Sequence, residues 1–365
     1  MKICDITNCI EEFAPLMLQE SYDNSGLIIG EKKTEITKAL ICLDVTEEII
    51  DEAIAENFQL VISHHPVIFK GLKKINRKNA VERIIVKAIK NDIAIYAVHT
   101  NADNIIDGVN AIISKKLGLK NTRVLLPRKN LLKKIVTFCP VESADKVRNA
   151  LFEAGAGFIG HYDSCSFNTK GTGSFRANEL ANPHVGEINE LHYEDEIRIE
   201  TIYPVYKEQE ILKNLFNTHP YEEVAYDIYT LDNEFNRVGA GIIGELQQPA
   251  DELELLKKIK KIVKADCIKH SNLLSKKIKR VALCGGSGSF LISNAINAGA
   301  DIFITADLRY HDFFKADNKI IIADVGHFES EQFIKELIYA VIIKKFPKFA
   351  LRISEKNTNS INYLL

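Results

Sequence analysis

Apolar residues in about the first 125 positions follow two rhythms. Short unbroken runs, KALICLDV (38–45), QLVIS (59–63) and NDIAIYAV (91–98), have the length and density of buried strands. Between them, apolar residues recur at helical spacing. TEEIIDEAIAENF (46–58) sets Ile49, Ile50 and Ala53 on one stripe, with Thr46 placed to cap it, and AVERIIVKAIK (80–90) follows the same rule. Strand–helix–strand alternation of this kind predicts parallel βαβ units.

The middle of the chain reads differently. KKIVTFCPV (133–141) predicts a strand, ADKVRNALFEAG (144–155) a helix, and YDSCSFNTKGTGSF (162–175) a loop region in which KGTGSF is a turn. DEIRIETIYP (195–204) alternates like a strand, EQEILKNLFNTHP (208–220) has helical spacing, and EEVAYDIYTL (222–231) is again strand-like. The order β-α-β-β-α-β is the ferredoxin-like pattern. After it the first rhythm resumes in KRVALCGG (279–286), ADIFITAD (300–307) and NKIIIADV (318–325). ESEQFIKELIYAVIIKKF (329–346) predicts one helix with Phe333, Leu337, Ile338, Val341 and Ile342 along a stripe. The expected fold is therefore α/β. A discontinuous, two-lobed α/β main domain covers 1–130 and 232–365, and a ferredoxin-like α+β domain is inserted at 131–231.

Composition narrows the function. The 365 residues suffice for about two or three domains. Lys and Arg total 47 against 49 Asp and Glu, a near balance that argues against a nucleic-acid footprint. No apolar stretch has the length of a membrane span, and the N-terminus has no apolar core flanked like a signal peptide. The seven cysteines are scattered without a CxxC pair, as expected for reduced thiols in a cytoplasm.

Polar residues then gather where the strands end, which is where open α/β sheets bind ligands. QLVIS runs into His64-His65-Pro66, and IAIYAV into His99-Thr100-Asn101-Ala102-Asp103. DIFIT runs into Ala306-Asp307 with His311 beyond, and KIIIADV into Gly326-His327-Phe328-Glu329-Ser330-Glu331. These four clusters are expected on one rim. His99 and Asp103, Asp307 and His311, and His327 and Glu331 are each four apart, so on a helical turn each pair shares a face. Imidazole with carboxylate suits divalent first-row ions. Neighbouring residues on a strand face opposite ways, so His64 and His65 are better explained by two ions than by one, with Pro66 holding His65 extended. A lone His–His pair or HxxxE spacing is common on ordinary surfaces, and HTNAD and GHFESE also read as helix starts. The case rests on the clusters occurring together. Glu329, two residues from His327, reads as an ordinary first-turn acid. CGGSGS (284–289) reads as a tight turn first and an anion cradle second.

Six segments in order, YDNSGLIIG (22–30), ICLDVT (41–46), SHHPVIF (63–69), HTNAD (99–103), TADLRYH (305–311) and GHFESE (326–331), resemble the GTP cyclohydrolase I type 2 homologs, the Ngg-interacting-factor-three-like dinuclear metal proteins. The middle segment is similar to the PII/CutA-like insert of the long bacterial members. The resemblance implies two divalent ions per subunit, of zinc, iron, manganese or magnesium. His64, His65, Asp103, His327 and Glu331 are the implied ligands, with Glu331 bridging. It also implies a toroidal homohexamer, a trimer of dimers. Two positions depart from the pattern: Tyr22 stands where many members have Trp, and Ala306 where Gly is usual. The expected activity is metal-dependent hydrolysis of a small nucleotide-like or phosphate-bearing substrate, with Asp307 and His311 as candidates for orienting ligands or moving protons. The rival is a non-catalytic metal-dependent scaffold whose insert senses a small molecule.

Overall fold

Two sheets form the larger unit of the computed structural model, which describes residues 1–364. The first runs in the order Gly26–Ile29, Ala94–Ala97, Leu60–Ser63, Lys38–Cys42, Ala350–Ile353, parallel except for its antiparallel first pair. The second runs Lys269–His270, Ile321–Asp324, Ile302–Ala306, Ile278–Ser287, Phe235–Ala250, Lys120–Arg128, with Ile278–Ser287, Ile302–Ala306 and Ile321–Asp324 mutually parallel. The central parallel strands are buried throughout, which is why their sequences are dominated by Ile, Val, Leu and Ala. Helices Glu47–Ala55 and Ala80–Lys90 pack Ile49, Ile50, Ala53, Ile84 and Ala88 against Leu40, Val61 and Ile95 of the first sheet. Helix Glu252–Val263 sets Leu255, Leu256 and Ile259 against Val281, Ile302 and Ile321 of the second. No helix among the described residues is long and apolar enough to cross a membrane.

The chain divides into this unit, Met1–Pro127 with the segment from Asn236 onward, and a smaller one, Arg128–Phe235. The smaller unit has the order Leu132–Pro140, Ala144–Glu153, Phe167–Arg176, Leu191–Pro204, Glu208–Thr218, Tyr226–Leu231, the split β-α-β-β-α-β pattern. Its sheet runs Phe167–Arg176, Leu191–Pro204, Leu132–Pro140, Tyr226–Leu231, antiparallel throughout. Ile135, Cys139, Ile197 and Ile199 pack against Val147, Leu151, Ile211 and Leu215 of its two helices.

Three readings of the sequence change. The stretch expected as a loop with a turn at KGTGSF contains strand Phe167–Arg176, whose glycines hide its β character. The strand expected from 222 begins at Tyr226. The single helix expected over 329–346 is two, His327–Glu331 and Ile334–Lys345. The break lets Phe333 enter the core, 4% exposed, while Gln332 donates to the Val263 carbonyl at 2.9 Å.

The smaller unit leaves and rejoins the larger one on neighbouring strands. A Cβ at Gly239 would meet the Leu126 carbonyl at 2.1 Å, and one at Gly244 the Lys120 carbonyl at 3.0 Å, so Lys120–Arg128 and Phe235–Ala250 run antiparallel. A short turn can close that pair as a hairpin. Replacing residues 128–235 by a Gly-Ser turn is expected to leave a chain that melts cooperatively by circular dichroism. A non-cooperative melt would mean that the insert completes the larger fold.

Candidate metal centre

The polar clusters come not from one rim but from the carboxyl ends of strands in both sheets. His64 and His65 follow Leu60–Ser63, and Asp103 ends the one-turn helix Thr100–Asp103 beyond Ala94–Ala97. Asp307 follows Ile302–Ala306, while His327 and Glu331 open and close the short helix after Ile321–Asp324.

They meet at one oxygen. Glu331 Oε2 lies 2.9 Å from His65 Nε2, 3.0 Å from His327 Nε2 and 3.7 Å from His64 Nε2. His64 Nε2 is also 3.6 Å from Asp103 Oδ1. Two sets of mutually close donors share this carboxylate: His65, His327 and Glu331, and His64, Asp103 and Glu331. A third set joins His64, His65 and His99. The adjacent histidines do not face opposite ways as a regular strand requires. The strand ends at Ser63, and both imidazoles sit in the bend that follows, converging on Glu331.

Each ring is held through its other nitrogen, leaving Nε2 to face the centre. His64 Nδ1 is 2.8 Å from the Val98 carbonyl, which can only accept, so the proton sits on Nδ1. The lone pair of Nε2 is then buried without a partner, as is Asp103 Oδ1 opposite it. Two orphaned buried acceptors facing each other fit a cation. Burial, first of all, pushes the His64 pKa down to about 3 and keeps the ring neutral. His65 Nδ1 lies 2.7 Å from Asp44 Oδ1, and His327 Nδ1 lies 2.6 Å from Asp307 Oδ2. Burial opposes charge on these two rings, but the carboxylates on either side prevail and raise them to about 9 and about 11. Burial would likewise raise Glu331, but N–H groups of His327 and His65 hold it well below the ordinary carboxylate range. Asp103 goes the other way, raised by burial and then by the Glu331 charge.

Glycines make room for Glu331. A Cβ at Gly286, which has φ +62°, would lie 2.3 Å from Glu331 Oε1. The cradle read in CGGSGS is therefore a seat for a carboxylate. Two of its amides are occupied, Gly285 N–H donating to Asn110 Oδ1 at 2.8 Å and Gly286 N–H to Ser330 Oγ at 2.9 Å. Ala306 causes no difficulty where Gly is usual: the left-handed residue is Asp307, φ +56°, a conformation Asp tolerates.

Asp307 and His311 do not share a helical face. Asp307 precedes the 3-10 turn Tyr310–Ala316 and contacts His327, whereas exposed His311 packs against Tyr310 and Phe314 and touches none of the converging residues. His99 does reach the centre, its ring 5.2 Å from that of His64 and its Nδ1 2.8 Å from Asp23 Oδ1. Burial would raise Asp23, but bonds from His99 and Thr100 hold it below its ordinary value. Glu329 is not an exposed first-turn acid. It is buried, it fills the space a Cβ at Gly326 would need, and it accepts from Asn359 Nδ2 at 3.0 Å. Thr358 Oγ1 donates to Asp44 Oδ2 at 2.6 Å, so the C-terminal segment reaches His65 through one carboxylate. Asp23 and Asp44 lie within the quoted motifs, but only the fold shows them behind imidazoles. SEKNTNS (354–360) gives no sequence signal.

The cavity above these groups has a volume of about 490 Å3, and its lining includes His65, His99, His327, Phe69, Phe290 and Thr358 but, among the described residues, no lysine or arginine.

A family model described as Duf34/NIF3 (NGG1p interacting factor 3) matches residues 1–360. The GTP cyclohydrolase 1 type 2 homolog of Halalkalibacterium halodurans is 40% identical over 315 residues, 85% of each chain. That of Bacillus subtilis is 36% identical over 365 residues, 98% of each chain. The crystal structure of a Bacillus cereus protein related to NIF3 superposes with a TM-score of 0.89 at 37% identity, covering 100% of this chain and 99% of that one.

A raised histidine stabilises the fold fully below its unfolded pKa, near 6.5. The contribution is lost as pH rises through the folded value, about 9 for His65. In chelator-treated protein the melting temperature should therefore fall between pH 7 and pH 9.5, and His65→Gln should flatten that fall. A level melting temperature across this range in the parent protein would contradict the assignment.

Proposed function

The chain belongs to the Duf34/NIF3 family, and from that premise we propose that it holds two divalent cations and acts as a metal-dependent hydrolase on a small nucleotide-like or phosphate-bearing compound. The carrying observation is the Glu331 oxygen shared by two donor sets. His64 and Asp103 would hold one cation and His65 and His327 the other, with Glu331 common to both donor sets. The imidazole-rich set favours zinc or iron over manganese or magnesium. Two bound dications would supply Lewis acidity and bring the pKa of a water between them toward neutrality.

The residues around the ligands do the rest. Val98, Asp44 and Asp307 fix the tautomers and angles of His64, His65 and His327. His99 lines the cavity with Nδ1 held by Asp23, which leaves Nε2 for proton transfer, a role the geometry supports for His99 rather than His311. With no lysine or arginine among the described lining residues, negative charge on a substrate would fall to the cations. The protein is taken to work in the cytoplasm as the homohexamer its family resemblance implies, a state that sedimentation analysis tests. A non-catalytic scaffold predicts the same metal content without turnover of any nucleotide in a broad panel.

Protein prepared without chelator should carry two divalent ions per chain by elemental analysis. Glu331→Gln should lose at least one ion and any hydrolytic activity. Glu329→Gln keeps an acceptor for Asn359 and should retain both ions. Saturation at one ion, or equal loss in the two variants, would sink the shared-carboxylate centre.

A further inference from the structure

The smaller unit carries a cavity of about 610 Å3 of its own. It lies on the sheet face turned away from the two helices. Ile135, Cys139, Ile197 and Ile199 pack on the helices, so by strand alternation Phe138, Glu196 and Arg198 face the other way, into the cavity.

Its floor lacks side chains where they would be expected. Strand register sets Gly171 opposite Glu196 and Gly173 opposite Glu194, two cavity-facing positions in succession. A Cβ at Gly171 would meet nothing within 4 Å, so bare backbone faces open space there. A Cβ at Gly173 would come 2.3 Å from Glu196 Oε2, so the carboxylate lies over that glycine. Glycine weakens a strand interior, and close approach of a ligand or another backbone is a main reason to find it there.

The walls carry aromatic rings, and Glu196 presents an acceptor held in place. The rings of Phe175 and Tyr221 stand 6.2 Å apart, and His184 packs 6.1 Å from Tyr221. Tyr221 Oη donates to Glu196 Oε1 at 2.9 Å, which fixes the carboxylate and leaves Oε2 without a hydrogen-bond donor among the described residues. At the mouth, the Arg198 guanidinium lies 5.9 Å from the Phe138 ring and pairs with Glu200.

The geometry points to a binding site for a planar, amino-bearing nitrogen heterocycle of the nucleobase class. The ring lies flat on the Gly171 backbone against Phe175 and Tyr221, and its amino edge donates to Glu196 Oε2. A carboxylate only accepts, so the ligand must donate. The bare floor and aromatic walls select a flat ring over an aliphatic amine. Uracil is disfavoured because its N–H is flanked by two carbonyls that a carboxylate repels. Its lining shares no residue with the cavity of the metal centre.

Calorimetric titration of the intact protein with guanosine, adenosine, cytidine, uridine and butylamine tests it. At least one amino-bearing nucleoside should bind at least tenfold tighter than uridine or butylamine. Glu196→Gln keeps the Tyr221 bond but presents an amide, and should weaken that binding about tenfold, the effect of one hydrogen bond to a charged group. Gly171→Val places a strand-favouring side chain in open space, so the protein should fold, as its melting curve will show, yet bind no nucleoside. Glu331→Gln should leave nucleoside binding unchanged, which separates this site from the metal centre. Absence of binding by all four nucleosides, unchanged binding in folded Gly171→Val, or butylamine matching the best nucleoside would each overturn the proposal.

Discussion

One buried carboxylate sets the terms for the larger unit. Glu331 is 3% exposed and ionised, a state that is expensive unless the charge is met by donors at close range. Three imidazoles meet it, and they come from two sheets that share no strand. The local departures from regular structure follow from seating this group. Position 286 takes glycine because its φ is left-handed and a Cβ would strike Glu331, and the parallel register between Ile278–Ser287 and Ile302–Ala306 shifts in the same stretch. Gly326 takes φ +92° so that the short helix carrying His327 and Glu331 can start beside buried Glu329. Regular elements bring the chain to the site, and irregular ones aim the side chains.

This division explains what was legible in the sequence. Ile-, Val- and Leu-rich runs between helical stripes mark buried parallel strands, and chemistry at their carboxyl ends follows from how such sheets bind ligands. Leu60–Ser63 and Ile321–Asp324 could thus be found, with His64, His65, His327 and Glu331 beyond them. The i, i+4 spacing of His327 and Glu331 was informative because that segment is helical. The same spacing of Asp307 and His311 was not, because Asp307 lies in a left-handed turn before the helix begins. Strand alternation does not govern His64 and His65, because the strand ends at Ser63, yet the two do fall into different donor sets around Glu331. Contacts between distant segments, Asp44 with Thr358 and Glu329 with Asn359, leave no periodic trace in the chain. Strand Phe167–Arg176 was hidden for another reason: Gly171 and Gly173 remove the side chains by which a strand is recognised.

The comparisons and the geometry inform different questions. Membership in the Duf34/NIF3 family, and a TM-score of 0.89 to a Bacillus cereus relative, account for the arrangement of elements. Neither explains why His64 differs from its neighbours. That difference is local: a carbonyl stands behind His64, whereas carboxylates stand behind His65 and His327. A carbonyl fixes the tautomer without stabilising a positive ring, and burial then keeps His64 neutral. A carboxylate does both, so His65 and His327 hold protons at neutral pH.

Charge balance follows from this asymmetry. With His65 and His327 protonated, two positive rings stand around Glu331, and the fold tolerates a buried anion without any ion. A dication taking their Nε2 lone pairs would displace two protons and supply the same charge. Asp44 and Asp307 already hold each ring through Nδ1, which leaves Nε2 aimed at the centre. Where His64 faces Asp103 the protons are differently placed. The ring is already neutral, while burial and the Glu331 charge raise the carboxyl opposite it and favour its protonated form. The two sides of Glu331 therefore differ in kind: around His65 and His327 a cation would replace protons on imidazoles, and between His64 and Asp103 it would compete with a proton on a carboxyl.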